Sequence, residues 1–193
     1  DENTILNLKM QKAKIDVWGV GTKLITAYDQ PALGAVYKIV SIEDDQGVMH
    51  DTIKLSNNAE KVSTPGKKQV WRITSRAKGK SEGDYITFAD TDVNALDEIN
   101  MFHPTYTYIN KTVRDFDAVP LLVPIYDKGQ LIYDLPSLNE IKAYATKELD
   151  ELWNEYKRVL NPQDYPVDLA KDVWDNKMTL IDNVRKKAHD LSE

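Results

Sequence analysis

Residues Ile15 to Thr22, Ile-Asp-Val-Trp-Gly-Val-Gly-Thr, constrain the possible folds of this chain more than any other stretch. A short apolar run reads as a strand, and it ends abruptly in Gly19-Val20-Gly21-Thr22. Glycine has no side chain to hold a ligand away from the peptide nitrogens, so such a bend leaves N–H groups uncovered beside a threonine hydroxyl. A phosphate needs those groups. Read alone, the G-x-G-T pattern also fits a plain strand-to-loop turn, the commoner fate of a glycine pair after a strand.

The flanking sequence adds weight. From about Asn3 to Lys12, apolar Ile5, Leu6, Leu8 and Met10 predict a short helix with Asn3 or Thr4 as its N-cap. Helix, strand and phosphate-friendly loop make up the repeating step of an α/β barrel or a doubly wound sheet, where ligands sit at the carboxyl ends of strands. One such step cannot close a barrel.

From Ala35 to about Asp134 the pattern turns to period two. Val36–Ile42 reads as a strand, Asp44-Asp-Gln-Gly47 as a turn and Val48–Leu55 as the returning strand. Gln69–Thr74 and Asp84–Ala89 flank a polar loop with Lys78, Gly79 and Gly83, and a third hairpin joins Leu121–Tyr126 to Gln130–Tyr133 across Asp127-Lys-Gly129. Thr105–Phe116 is a further strand candidate. The last third reads as helical. Ser137 with Glu140 forms a capping box, and Ile141, Ala145, Leu149, Leu152, Trp153, Tyr156 and Leu160 follow as one apolar stripe, stopped by Asn161-Pro162. Asp168 caps a second predicted helix through about His189, with Val173, Trp174, Met178, Ile181 and Val184 inward. The two stripes pack together or onto the sheet.

Composition excludes several functions. The 193 residues hold no cysteine, which removes disulfides, thiolate nucleophiles and cysteine metal sites and suits a cytoplasmic setting. No apolar run approaches the roughly 20 residues that span a bilayer, so no membrane segment is expected. The net charge of -6 comes from 31 acidic and 25 basic residues spread evenly; a nucleic-acid binder would concentrate its basic residues on one face. Asp44, Asp45 and Asp127 are turn formers, so no metal site is expected.

Several runs carry a resemblance: Ala13–Thr26, Asp29–Lys38, Lys61-Val-Ser-Thr-Pro-Gly-Lys-Lys68, Met101-Phe-His-Pro104 and Leu160-Asn-Pro-Gln-Asp-Tyr-Pro-Val-Asp-Leu169. Together they resemble the nicotinate phosphoribosyltransferases, the bacterial members most of all, over essentially the whole chain but only the carboxy-terminal part of that longer enzyme. A start at Asp1 in a helix-like segment, without methionine, suits an excised fragment.

The resemblance implies an α+β fragment. Residues 1–34 would form the last helix-strand unit of an incomplete type II phosphoribosyltransferase α/β barrel, residues 35–136 an antiparallel β-rich region, and residues 137–193 a C-terminal helical pair. The activity implied is the joining of nicotinate to phosphoribosyl pyrophosphate, with ATP hydrolysis and Mg²⁺, in a cytoplasmic homodimer whose sites use both subunits. Carried onto this chain, the phosphoribosyl pyrophosphate contacts are Gly19, Gly21 and Thr22, with Lys23 fitting either a cationic contact or a solvated loop. The family's phosphorylated histidine and its nicotinate contacts lie in the amino-terminal part, so no catalytic or metal residue is expected here and the isolated chain should be inactive. His103 reads as structural, and His50 and His189 are given no role. Apolar surface around Ile15, Val17 and Trp18 should favour self-association. Two readings compete: a fragment of a nicotinamide or quinolinate phosphoribosyltransferase, and a non-catalytic β-rich interaction module.

Overall fold

The computed structural model describes residues 1–32 and 34–190; Leu33, inside one of the quoted runs, lies outside the described residues. The chain divides into two units, Asp1–Tyr37 and Lys38–Glu193.

In the first unit, helix α1 (Glu2–Met10) is capped by Asp1, whose carboxylate accepts from the Thr4 amide at 2.9 Å. The cap is thus Asp1 rather than Asn3 or Thr4. The expected strand Ile15–Val20 does not form: the segment is irregular and leads into a one-turn helix, α2 (Thr22–Ile25). A strand exists only through ladder bonds to a neighbour, and no strand within this unit is described to supply them.

The second unit is built on a curled six-stranded sheet. A small hairpin, β1 (Ser41–Glu43) with β2 (Met49–Asp51), precedes it and is shorter than the pattern predicts. Its turn forms as expected, with Asp44 Oδ1 accepting from the Gln46 and Val48 amides, both at 2.9 Å. Next come β3 (Lys68–Ser75), β4 (Lys80–Phe88), β5 (Glu98–Phe102), β6 (Asn110–Arg114) and β7 (Phe116–Pro120). A minimal hairpin of β8 (Tyr126–Asp127) and β9 (Gln130–Leu131) follows. Helix α3 (Leu138–Glu151), the single turn α4 (Asn154–Lys157), β10 (Val167–Leu169) and α5 (Lys171–Asp190) complete the unit.

The strand order is β6-β5-β10-β4-β3-β7. Its two edge strands are joined by Asp115 alone, at φ 52°, so the sheet curls until its edges meet there. Strand alternation sends Trp71 and Ile73 to one face and Arg72 to the other. The first face, with the paired Tyr85, Ile99, Val113 and Ala118, forms the core around Val93 and Met101. The free edge of β7 is covered by one side chain: Asn94 Nδ2 donates to the Ala118 carbonyl (3.1 Å), and its Oδ1 accepts from the Ala118 amide (3.2 Å). Asn94 thereby stands in for a neighbouring strand.

Three expectations for the helical third need correction or support. The capping box is present, with Glu140 Oε2 accepting from the Ser137 amide at 2.7 Å. The single helix through Leu160 is not: α3 stops at Glu151, and Trp153 turns its indole N–H onto the Ser81 carbonyl at 3.0 Å. Asp168 is no cap but the middle of β10, parallel to β4 and antiparallel to β5. Local pattern favoured a cap; the strand arises because partners remote in sequence offer it ladder bonds. Entry of β10 depends on Gly83 (φ +130°), where a Cβ would lie 2.8 Å from Pro166 Cγ. The helices lie on the sheet, α3 touching β4 and α5 touching β4 and β5. Trp174 of α5 stacks on Phe102, ring centres 6.4 Å apart.

Candidate functional site

The residues singled out from the sequence come together in the first unit. Gly19, Gly21 and Thr22 line one open cleft of about 420 Å³, with Asp1, Thr4, Ile5, Leu8, Trp18, Val20 and Lys23. Gly21 is the N-cap of α2 and offers no side chain to it; its carbonyl accepts from the Leu24 and Ile25 amides, both at 3.1 Å. Among the described residues, nothing accepts from the amides of Gly19, Gly21 or Thr22. A Cβ built at Gly19 or Gly21 would meet nothing within 4 Å, so the bend faces open space instead of packed side chains. Thr22 starts α2 and lines the same cleft. This is a set of donors without acceptors, the arrangement an oxyanion takes.

Lys23 does not stand free at the loop. Its ammonium meets Asp1 Oδ2 at 2.5 Å and lies 5.0 Å from the Tyr28 ring centre. The cation nearest the loop is therefore already neutralised, and an entering anion would compete with Asp1 for it.

The histidines fall where structural roles place them. His103 Nδ1 accepts from the Thr105 (3.1 Å) and Tyr106 (2.9 Å) amides, pinning the turn after β5. His50 Nε2 meets Asp44 Oδ2 at 2.7 Å on the first hairpin, and this bond, with those from Val48 and Gln46, holds the Asp44 carboxyl below its ordinary value. His189 lies near the end of α5. Among the described residues, no three or more His, Cys, Asp or Glu gather in a way that could hold a metal ion.

Sequence reasoning missed a polar network in the second unit. Arg72 on β3 bonds Asp84 on β4 through both Nε (3.0 Å) and Nη2 (3.3 Å), and its Nη1 reaches Glu148 of α3. The Tyr165 hydroxyl donates to Asp84 Oδ1 at 2.9 Å and lies 2.6 Å from Ser81 Oγ. Its ring faces the Arg72 guanidinium at 5.8 Å and meets Tyr156 edge-on at 5.4 Å. Bonds to Asp84 raise Arg72 above its ordinary value, while burial pushes the Tyr165 phenol up to about 12. Every charge here is answered, so the network ties α3 and the Tyr165 segment to the sheet instead of offering a reactive group. The available signal was an arginine in the centre of an otherwise apolar strand pattern.

The run Lys61–Lys68 is structural as well. In Lys61–Lys68, the Lys68 ammonium donates to the carbonyls of Thr64 (2.7 Å), Pro65 (3.1 Å) and Gly66 (2.5 Å), curling the loop around its own side chain. Gly66 sits at φ +88°, where a Cβ would stand 2.6 Å from Phe88 Cε1. A side chain there has no room.

Comparison with known proteins identifies the family. Residues 67–177 match the family described as "Nicotinate phosphoribosyltransferase C-terminal domain". The chain is 54% identical over 193 residues to the Bacillus subtilis nicotinate phosphoribosyltransferase, covering all of this chain and 39% of that protein. It is 31% identical to the Homo sapiens nicotinate phosphoribosyltransferase over 171 residues, covering 89% of this chain and 31% of the relative. A solved structure described as "Crystal structure of human Nicotinic Acid Phosphoribosyltransferase" superposes with a TM-score of 0.56 at 28% identity, covering 62% of this chain and 24% of that one. The chain thus spans about two fifths or less of the relatives it matches. It belongs to the nicotinate phosphoribosyltransferase family and corresponds to its C-terminal part.

Proposed function

We propose that this chain works as the C-terminal part of a nicotinate phosphoribosyltransferase, in which Gly19, Gly21 and Thr22 hold the ribose 5-phosphate of phosphoribosyl pyrophosphate. The full protein joins that substrate to nicotinate with ATP hydrolysis, forming nicotinate mononucleotide and releasing pyrophosphate in the salvage route to NAD. The observation carrying this reading is the cleft of unpaired amides and a hydroxyl at Gly19–Thr22, in a chain 54% identical to a protein of that name.

Displacement at an anomeric carbon depends on fixing the sugar against both the base and the leaving group. The part assigned to this chain is to anchor one end of the ribose: amides of Gly19, Gly21 and Thr22 donate to phosphate oxygens, and the Thr22 hydroxyl adds a further donor. Among the described residues no group of three or more His, Cys, Asp or Glu gathers that could hold a metal ion. On this reading Mg²⁺ arrives with pyrophosphate, and the ATP-dependent histidine and the nicotinate pocket belong to the amino-terminal part. A cytoplasmic homodimer completes the picture.

In the full-length enzyme, Thr22→Ala should raise KM for phosphoribosyl pyrophosphate about tenfold to a hundredfold, since a hydrogen bond to a charged group contributes about 1.5–3 kcal/mol. KM for nicotinate should change little. An unchanged KM for the sugar substrate would remove Thr22 from the site. The chain alone, mixed with nicotinate, phosphoribosyl pyrophosphate and ATP, should form no mononucleotide above background.

A further inference from the structure

The curled sheet has one weak seam. Strand β10 is three residues long and shares three residue pairs with β4, but meets β5 only through Leu169 and Phe102. The antiparallel register continues from that pair to set Asp168 beside His103, while on the other side Asp168 pairs with Tyr85. Asp168 is only 6% exposed, and among the described residues no hydrogen bond reaches its carboxylate. Among the described residues every side-chain nitrogen or oxygen fully shut off from solvent has a partner, so the Asp168 oxygens keep a trace of contact with water.

The groups around it do not satisfy the charge. From β5, His103 accepts two amides through Nδ1, which leaves Nε2 to carry the ring hydrogen. From β6, Lys111 acts on Asp168 only at a distance, because its ammonium is held by the Glu82 carboxylate (2.9 Å) and carbonyl on β4. Also from β4, the Tyr85 phenol is buried and pushed up to about 12, and Asp84 is taken by Arg72 and Tyr165. Helix α5, which packs on β4 and β5, carries Asp172, which acts on Tyr85, and the buried Lys177; the charges that act on Asp168 itself are His103 and Lys111. A buried carboxylate without donors resists ionisation. Burial accordingly raises Asp168 above its ordinary 3.8, with His103 and Lys111 pulling the other way.

We propose that the β10–β5 seam is an ionisation-controlled opening of the sheet, held shut when the Asp168 carboxyl is protonated and loosened when it is charged. The direction follows from linkage. Closed, the seam raises the affinity of Asp168 for its proton; open, water restores the ordinary value, so the open state gains population as pH rises above 3.8 through the raised value. His103 and Lys111 limit that gain. Because β10 lies between the Tyr165 anchor and α5, the seam controls how firmly the C-terminal helix is seated.

Amide hydrogen exchange of the full chain tests this, read at Leu169 and Phe102 and corrected for the intrinsic pH dependence of exchange. In the parent chain, protection of these amides should fall as pH rises from 3.5 to 8, tenfold for each unit by which closure raises Asp168 above its ordinary 3.8. Asp168→Asn should be better protected at pH 8 and flat with pH. Lys111→Met should increase opening at pH 8 in the parent background and leave it unchanged beside Asp168→Asn. A flat parent profile would overturn the proposal. So would an Asn variant that keeps the slope, is less protected at pH 8 or fails to fold, or a Lys111→Met effect that is the same in both backgrounds.

Discussion

The two units of this chain put their apolar residues to opposite ends. In Lys38–Glu193, Ile73, Val93, Met101 and Val173 are completely buried, and the sheet has a covered edge and a closed polar network. In Asp1–Tyr37 no helix buries a residue, and Val17 and Ile25 stand 85% and 88% exposed. Local hydrogen bonds hold that unit in shape: the Asp1 cap, the Lys23 pair and the single turn of α2. The difference shows where each kind of residue does its work. Packing residues lie in the curled sheet, whereas among the described residues nothing stands within 4 Å of a Cβ built at Gly19 or Gly21.

That contrast can be broken most directly at matched apolar positions. Ile73→Ala should lower the unfolding free energy by about 2–5 kcal/mol, because it leaves a cavity in a filled core. Ile25→Ala should change it by no more than about 0.5 kcal/mol in the same denaturant titration. A large loss at Ile25 would mean that the first unit is covered in solution, by self-association for instance, and dilution during the titration would reveal it.

Glycines sharpen the comparison next. Gly66→Ala should destabilise by about 1–3 kcal/mol, since its Cβ would enter the Phe88 ring at a backbone conformation that alanine resists. Gly19→Ala meets open space and should leave the thermal midpoint within experimental scatter. In the full-length enzyme its effect should appear in KM for phosphoribosyl pyrophosphate instead. Loss of stability at Gly19 with unaltered KM would reverse the assignment of the two glycines.

The smallest effect concerns a buried charge. Lys177 is 7% exposed on α5, and burial lowers its affinity for a proton below the ordinary 10.5. The folded state therefore binds fewer protons than the unfolded one in the window below 10.5, and this group's contribution to stability rises with pH there. Lys177→Met should raise the thermal midpoint at pH 7 by about 2–4 °C, as about 1 kcal/mol does in a chain of this size. That gain should shrink toward pH 10. A variant less stable at pH 7 would show that the ammonium contributes more than its desolvation costs.

What could be read in advance was local. The Ser137–Glu140 capping box, the Asp44 turn, the β3–β4 hairpin and the structural character of His103 each rest on residues a few positions apart, so side chain and backbone meet whatever the rest of the chain does. The family was legible too, in the runs that carry the resemblance.

What could not be read depends on distant partners. Val167–Leu169 looks like the approach to a helix until β4 and β5, more than 60 residues earlier, offer it a place between them. Helix α3 would follow its apolar stripe to Leu160 had Trp153 not found the Ser81 carbonyl. Conversely, Ile15–Val20 has the composition of a strand and no neighbour in its unit to pair with. Propensity and capping are written along the chain, but ladder bonds and buried charge pairs exist only once segments far apart in sequence share a surface.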